Sequence, residues 1–568
     1  MIAVDGGEAA PAPELPTEVG DLRWAPDGRA LLVTSDVDPA CNADMACNAA
    51  REKEAKGKPH LATRLLARHW NAWRERTRTH VLALPLAGGA PIDLTPGDRD
   101  VPPFERGDAC DVAVSADGKA LLFTMVADPV EAISTDANLF QVPLVGGEAR
   151  QLTRGPGWDG SPRPSPSGKL LAWRSQVRPG YESDKFRLLV GGPSGEEPRD
   201  LTAALDASVA EALWTSDSHL LFTAEDGGLS NLYEADARGG TVRRVAVGAN
   251  LHALSASRDG RLVAGLVDGF LRPPEVAVWQ DGKVRVLTRF GDEVMARVAL
   301  PSFRPLAATG KDGAAIHGWM MTPAGAKAGE RRAGVVLVHG GPQGAWHDAW
   351  SFRWNPMLYA AQGWTVVMPN PRGSSGWGQA YQDAVRANWG GTPFDDIMAL
   401  TDAAVAAGAA DGDRLCAAGA SYGGYMVNWI NGHTDRFRCL VTHAGDFDLE
   451  AAYYDTEELW FPEWELGRPW EDRTLYERWS PHRFVQRWRT PTLVTHGELD
   501  YRVTVTQALS TYTALQRLGV ESKLLVFPDE GHWILKPKNA KAFHAVVLGW
   551  IGDHLSRGAP AAKRPEAP

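Results

Sequence analysis

Leu415-Cys416-Ala417-Ala418-Gly419-Ala420-Ser421-Tyr422-Gly423-Gly424-Tyr425 is the stretch that decides how the chain is read. Residues 415–418 are a short apolar run that predicts a strand, and a helix is expected from Tyr425 onward. Between them lies Gly-x-Ser-x-Gly, the nucleophile elbow, whose glycines permit a tight turn that lifts the serine hydroxyl above a sheet. The pattern alone is weak, since chance supplies it roughly 0.3 times in a chain of this glycine content. The strand before it and the helix after it give it weight.

Around this stretch, further strands are expected at 335–338, 365–368, 440–442, 493–495 and 524–527, alternating with helical segments from about residue 311. That alternation predicts a mostly parallel α/β sheet, which places its site at the carboxyl ends of the strands. A serine nucleophile needs a base and an orienting acid. His496-Gly497-Glu498-Leu499-Asp500-Tyr501-Arg502-Val503 follows one strand and Pro528-Asp529-Glu530-Gly531-His532 follows the last. The chain order Ser421, Asp500, His532 is that of the α/β-hydrolases. His532 is therefore the expected base and Asp500 the expected acid. His496, His443 and His482 are rival bases, and Glu498 and Asp529 are rival acids weaker on placement. The oxyanion hole should combine the Tyr422 N–H with one from His339-Gly340-Gly341-Pro342, where Gly341 is preferred and Gly340 is the alternative.

The first half has a different period. Asp27-Gly28, Asp117-Gly118, Ser167-Gly168, Asp217-Ser218 and Asp259-Gly260 each separate two short apolar runs, which is a hairpin signal. Leu94-Thr95, Leu152-Thr153, Leu201-Thr202 and Leu287-Thr288 close most units. A period of about 40–50 residues with several short strands per unit predicts β-propeller blades. An insert at about 40–75 interrupts the first unit. Its Arg51–Lys56 stretch, and Leu65-Leu66-Ala67-Arg68-His69-Trp70, read as helical.

Together, His339-Gly340-Gly341-Pro342, Asn370-Pro371-Arg372-Gly373-Ser374, the elbow, the Asp500 segment and Glu530-Gly531-His532 resemble the prolyl oligopeptidase family of serine peptidases. The bacterial dipeptidyl peptidase V and acylaminoacyl-peptidase branch is the most similar. The resemblance implies an N-terminal β-propeller over 1–300 and an α/β-hydrolase over 301–556, and the Ala- and Pro-rich composition of 557–568 predicts a disordered tail. About six blades are expected from length, against seven or eight in the family. It further implies an acyl-enzyme mechanism on short peptides, releasing N-terminal dipeptides or acyl-amino acids, with no metal or organic cofactor. Arg502 resembles the family arginine near the scissile bond, with a structural salt bridge as its equal alternative. Tyr453, Tyr454, Trp460, Phe461 and Trp464 lie where the family builds the pocket for the residue before the cut. Adjacent glutamates that would hold a substrate amine are not evident: Glu52 and Glu54 are separated, and Glu196-Glu197 lies in an apparent turn. An esterase and an inactive propeller scaffold are the competing functions.

Composition bounds these readings. In 568 residues, 44% are hydrophobic and 23% charged, which excludes wholesale disorder. The net charge of −11 argues against nucleic acid as partner, and no run of 18 apolar residues predicts a transmembrane helix. A homo-oligomer is left open. Val4-Asp5-Gly6-Gly7-Glu8-Ala9 parallels Leu144-Val145-Gly146-Gly147-Glu148-Ala149, which reads either as a chance likeness of two Gly-Gly turns or as a chain that begins partway through a repeat. That would place the protein in the periplasm; an intact start would place it in the cytoplasm. A Cys41–Cys47 bridge suits an oxidising compartment only.

Overall fold

The computed structural model describes residues 1–557 except 3, 4, 10, 75, 249, 258 and 328. Val4 of the N-terminal phrase and nearly all of the expected tail, 558–568, lie outside the described residues.

Each of the five turn phrases joins the first and second strands of a four-stranded antiparallel sheet. The outer pairs of strands run from Val19–Trp24 to Ile92–Asp93 in blade I and from Val112–Val114 to Arg150–Gln151 in blade II. Blades III, IV and V run from Asp159–Pro164 to Arg199–Asp200, from Val209–Ser216 to Arg243–Ala246, and from Leu251–Ala256 to Lys283–Val286. Gly28, Gly118, Gly168 and Gly260 sit at φ of +68°, +72°, +71° and +68°, which explains glycine at four of the five turns. The recurrent threonine has its own task. Thr95, Thr153, Thr202 and Thr288 accept through Oγ1 from the backbone N–H of Val81, Leu139, Leu188 and Val276 at 2.8–3.0 Å. Each hydroxyl thus extends the ladder on its blade's third strand past the end of a short fourth strand.

Five such sheets are present among the described residues, not the six expected from length. The described residues within 1–18, 38–77 and 287–301 contribute no blade strand, so more of the first half lies outside the blades than the insert alone. The insert contains the expected helix, Met45–Ala55, capped by Asp44, whose side chain accepts from Cys47 N. The second expected helix is absent. Residues 68–73 instead form a hairpin, Arg68–His69 paired with Ala72–Trp73, with Trp70 at φ +56°. Contacts with the second half override local propensity there. Tyr501 N donates to Trp70 O at 3.1 Å, Arg68 Nη2 donates to Asp455 O at 2.7 Å, and the Arg68 guanidinium stacks 4.6 Å from the Tyr501 ring. A disulfide ties Cys41 to Cys47, which lies in the first turn of the helix.

The second half is an eight-stranded sheet ordered Ser302–Thr309, Ala315–Thr322, Thr365–Asn370, Arg332–Val338, Ala410–Ala420, Cys439–His443, Thr492–Gly497, Ser522–Phe527. The first three are antiparallel neighbours and the rest pair in parallel. The central strands are apolar on both faces because helices cover both. Val336 and Val338 pack with helices Thr392–Ala406 and Tyr422–His433, while Val335 and Leu337 pack with helix Pro537–Ser556. A second disulfide, which the sequence reading did not foresee, joins register partners Cys416 and Cys439. The two halves meet through Arg178, which pairs with Asp383 at 2.7 Å, and through Gly227 N, which donates to Gly376 O at 2.8 Å.

Candidate active site

The expected elbow is a strand ending at Ala420 followed by a helix from Tyr422 to His433. Ser421 holds φ 59° and ψ −125°, a conformation that side chains rarely adopt. Its N–H donates to His443 O at 2.9 Å, which fixes the turn to the neighbouring strand. Glycine is required on both sides by space: a Cβ on Gly419 would strike Gly423, and one on Gly423 would strike the carbonyl of Val338.

His532 and Asp500 come from the loops after the last two strands and meet. His532 Nδ1 lies 2.7 Å from Asp500 Oδ2. Asp500 Oδ1 accepts from Arg502 N and Val503 N at 3.0 Å each, so its carboxylate has a fixed orientation. Burial alone would raise its pKa, but facing His532 and His496 hold it well below the usual carboxylate range. With Nδ1 committed to Asp500, Nε2 is the nitrogen left for proton transfer. Ser421 and His532 line one cavity of about 510 Å³.

The rivals are occupied elsewhere. His443 binds Thr495 Oγ1 at 2.9 Å, and burial first, then neighbouring imidazoles, push its pKa down to about 3. His496 Nε2 binds Val503 O at 2.7 Å. His482 faces Asp448 at 3.8 Å and does not line the cavity. Glu498 is exposed, and Asp529 bonds Lys536 and Asn539 at the surface.

Gly340, Gly341 and Tyr422 also line the cavity. As the first residue of its helix, Tyr422 has an N–H without an intrahelical acceptor. A Cβ on Gly340 would stand 3.2 Å from Ser421 Cβ, which measures how closely this loop approaches the serine. His339 fixes the loop, bonding Gly340 O at 2.7 Å and Ser374 Oγ at 2.9 Å, and burial pushes its pKa down to about 4.

Arg502 lines the cavity but is saturated with carboxylates. It contacts Glu457 at 2.9 Å, Glu105 at 3.0 Å and Glu458 at 3.1 Å, and its guanidinium stacks 4.7 Å from the Trp70 ring. Burial would lower its pKa, yet these acids raise it. Phe461 and Tyr453 line the cavity, whereas Trp460, Trp464 and Tyr454 do not. Trp460 is buried and donates from Nε1 to Glu182 Oε2 at 2.9 Å. Trp464 stacks on Tyr181 at 4.5 Å across the junction of the two halves, and Tyr454 is exposed.

Several cavity residues escaped the sequence reading. Trp70 projects from the insert hairpin, its ring edge-on to His532 at 5.8 Å and to Trp533 at 5.0 Å. Glu182 comes from blade III, and Glu458 follows Glu457 directly. Asp446 and Arg353 complete the charged lining. Glu52, Glu54 and the Glu196-Glu197 pair do not line the cavity, and Glu196 serves its own turn by accepting from Ser194 N at 2.9 Å.

The chain matches the model of the prolyl oligopeptidase family over residues 350–558. It is 32% identical over 520 residues to dipeptidyl-peptidase 5 of Porphyromonas gingivalis, covering 88% of this chain and 75% of the relative. It is 32% identical over 521 residues to dipeptidyl-peptidase 5 of Schizosaccharomyces pombe, covering 87% and 74%. Its fold is similar to that of the acylaminoacyl peptidase of Pyrococcus horikoshii, with a TM-score of 0.80 at 20% identity, covering 96% of this chain and 83% of that one.

Proposed function

Because the chain belongs to the prolyl oligopeptidase family, we propose that it is a serine exopeptidase that releases dipeptides from the free amino terminus of short peptides. The observation that carries the choice of a free terminus is acidic: the carboxylates of Glu182 and Glu458 share the cavity with Ser421. Glu182 uses Oε2 for Trp460, and no protein donor among the described residues reaches Oε1. A cavity-lining carboxylate with one oxygen free of protein donors is a receptor for an ammonium group, and it would disfavour an acylated, uncharged terminus. An amine held there places the cut close to the amino end of the substrate.

Ser421 Oγ attacks the carbonyl while His532 Nε2 takes its proton, and Asp500 stabilises the resulting imidazolium. The N–H groups of Tyr422 and Gly341 face the oxyanion as it forms, at no cost in reorganisation. His532 then returns the proton to the leaving amine, and water repeats the sequence on the acyl-enzyme. Arg502 acts as a positioning residue. Its charge offsets Glu105, Glu457 and Glu458, so these acids share the site without repelling one another. Tyr453 and Phe461 supply apolar wall for the side chain before the cut.

Two assays test this. A fluorophosphonate probe should label the wild type and not Ser421→Ala. Alanyl-alanyl p-nitroanilide should be cleaved at least tenfold faster in kcat/KM than its N-acetyl form, and the reverse preference would replace this reading with an acylaminoacyl peptidase.

A further inference from the structure

Glu182 and Glu458 both line the cavity. From there, contacts run from Glu458 to Arg502, then through stacking to Trp70, from Trp70 edge-on to Trp533, and finally to Arg353, whose guanidinium lies 4.0 Å from the centre of the Trp533 ring. The two arginines differ in one respect. Arg502 has three carboxylate partners, whereas Arg353 lines the cavity with no hydrogen-bonded or ion-paired carboxylate among the described residues. Burial lowers its pKa with no acid to offset the effect. A half-buried guanidinium held over an indole and left without a carboxylate partner is a receptor for a planar anion.

Its position assigns the anion. The leaving amine departs past the imidazole that protonates it, and Trp533 follows His532 directly in the chain. Arg353 is therefore assigned to the leaving-group side of the cut, separated from Glu458 by Arg502, Trp70 and Trp533 in the line of contacts. We propose that Arg353, backed by Trp533, binds the C-terminal carboxylate of the departing segment, so that the preferred substrates are zwitterionic tri- and tetrapeptides. This rests on the exopeptidase reading above and specifies its substrate class. No bond is made or broken by Arg353; it binds substrate on the leaving side.

The test compares tri-alanine and tetra-alanine with their C-terminal amides, by product formation, in the wild type and in Arg353→Met. The wild type should favour the carboxylate form of at least one length by about tenfold in kcat/KM, the size of one charge-assisted hydrogen bond. In the variant that ratio should fall to within about twofold of unity. The ratio is read within each enzyme, so any general loss of activity cancels. If Arg353→Met does not fold, Arg353→Gln is read in the same way. A wild-type ratio near unity for both lengths overturns the proposal without any variant, and a ratio that survives the substitution overturns it as well. Alanyl-alanyl p-nitroanilide separates the two failures. If the wild type cleaves it without a carboxylate preference among the peptides, the anion site alone is wrong; if it does not cleave it, the exopeptidase reading is wrong.

Discussion

Asp500→Asn is the most informative substitution, because the surrounding hydrogen bonds dictate how the amide must sit. In the wild type, Oδ1 accepts from the N–H groups of Arg502 and Val503, and Oδ2 faces His532 Nδ1 at 2.7 Å. An asparagine can satisfy the two backbone donors only with its oxygen. Its NH2 must then point at His532 and donate to Nδ1. That selects the tautomer with the proton on Nε2, which cannot accept a proton from Ser421. The expected loss in kcat at pH 7 is about 10³–10⁴-fold, or about 4–5.5 kcal/mol of transition-state stabilisation. KM should change little, since Glu182, Glu458 and the apolar wall are untouched. The assay is steady-state hydrolysis of alanyl-alanyl p-nitroanilide, with fluorophosphonate labelling rates as a second measure of serine reactivity. Folding must be followed in parallel. The Asp500 carboxyl is held below its usual range, so its ionised form contributes stability above the unfolded pKa and loses that contribution as pH falls through the folded one. The variant should therefore melt below the wild type at neutral pH, with the gap closing in acid. A fall in kcat of less than tenfold, or a loss carried by KM with kcat intact, would refute the orienting role.

Glu465 offers the opposite sign. It is buried, accepts from Trp389 Nε1 at 2.9 Å and Gln343 Nε2 at 2.6 Å, and burial pushes its pKa up to about 7. Its neutral form is favoured by folding, so stability is fully present below the unfolded pKa and is lost as pH rises through about 7. Glu465→Gln should gain on the wild type between pH 5 and pH 8, by up to about 3 kcal/mol, measured by denaturant melts; a gap that is flat with pH would contradict this. Gly340→Ala should lower kcat by at least tenfold while leaving Tm within a few degrees, because the added methyl would stand 3.1 Å from Ala420 O and 3.2 Å from Ser421 Cβ. Trp70→Ala removes two edge-on ring contacts and one cation–π contact, together about 1–2 kcal/mol of positioning. It should cost about 5–30-fold in kcat/KM, and an unchanged value would show that the hairpin only covers the site.

The legible parts of this protein are those in which a local backbone demand selects the residue. The blade turns show because four need glycine at positive φ, and the closing threonines show because their hydroxyls replace a missing ladder partner. Gly419, Ser421 and Gly423 can be read because their packing distances admit no side chain at the glycines. Trp70, Glu182 and Arg353 could not be read, since each reaches the cavity through contacts made far from its own sequence neighbours. The hairpin at 68–73 misled for the same reason. Its residues favour a helix locally, and contacts more than 380 positions away, among them those with Asp455, Glu457 and Tyr501, hold it in extended form. The pocket aromatics were half legible: the family resemblance pointed to 460–464, but only packing decides that Phe461 lines the cavity while Trp460 reaches across to Glu182.

The Cys416–Cys439 bridge has one more consequence. The segment it closes, residues 417–438, contains the strand end, Ser421 and the whole helix Tyr422–His433. Covalently, that segment is a ring whose base is a pair of adjacent strands. Ser421 therefore cannot be carried far from the sheet by fraying of its helix, because both ends return to one point beneath it. Any excursion that exposes amide protons in this helix is confined to the ring, whereas the loops bearing Asp500 and His532 have no such tie among the described residues. Thermal loosening should thus scatter the base and the acid before it displaces the serine, and reduction should remove that order.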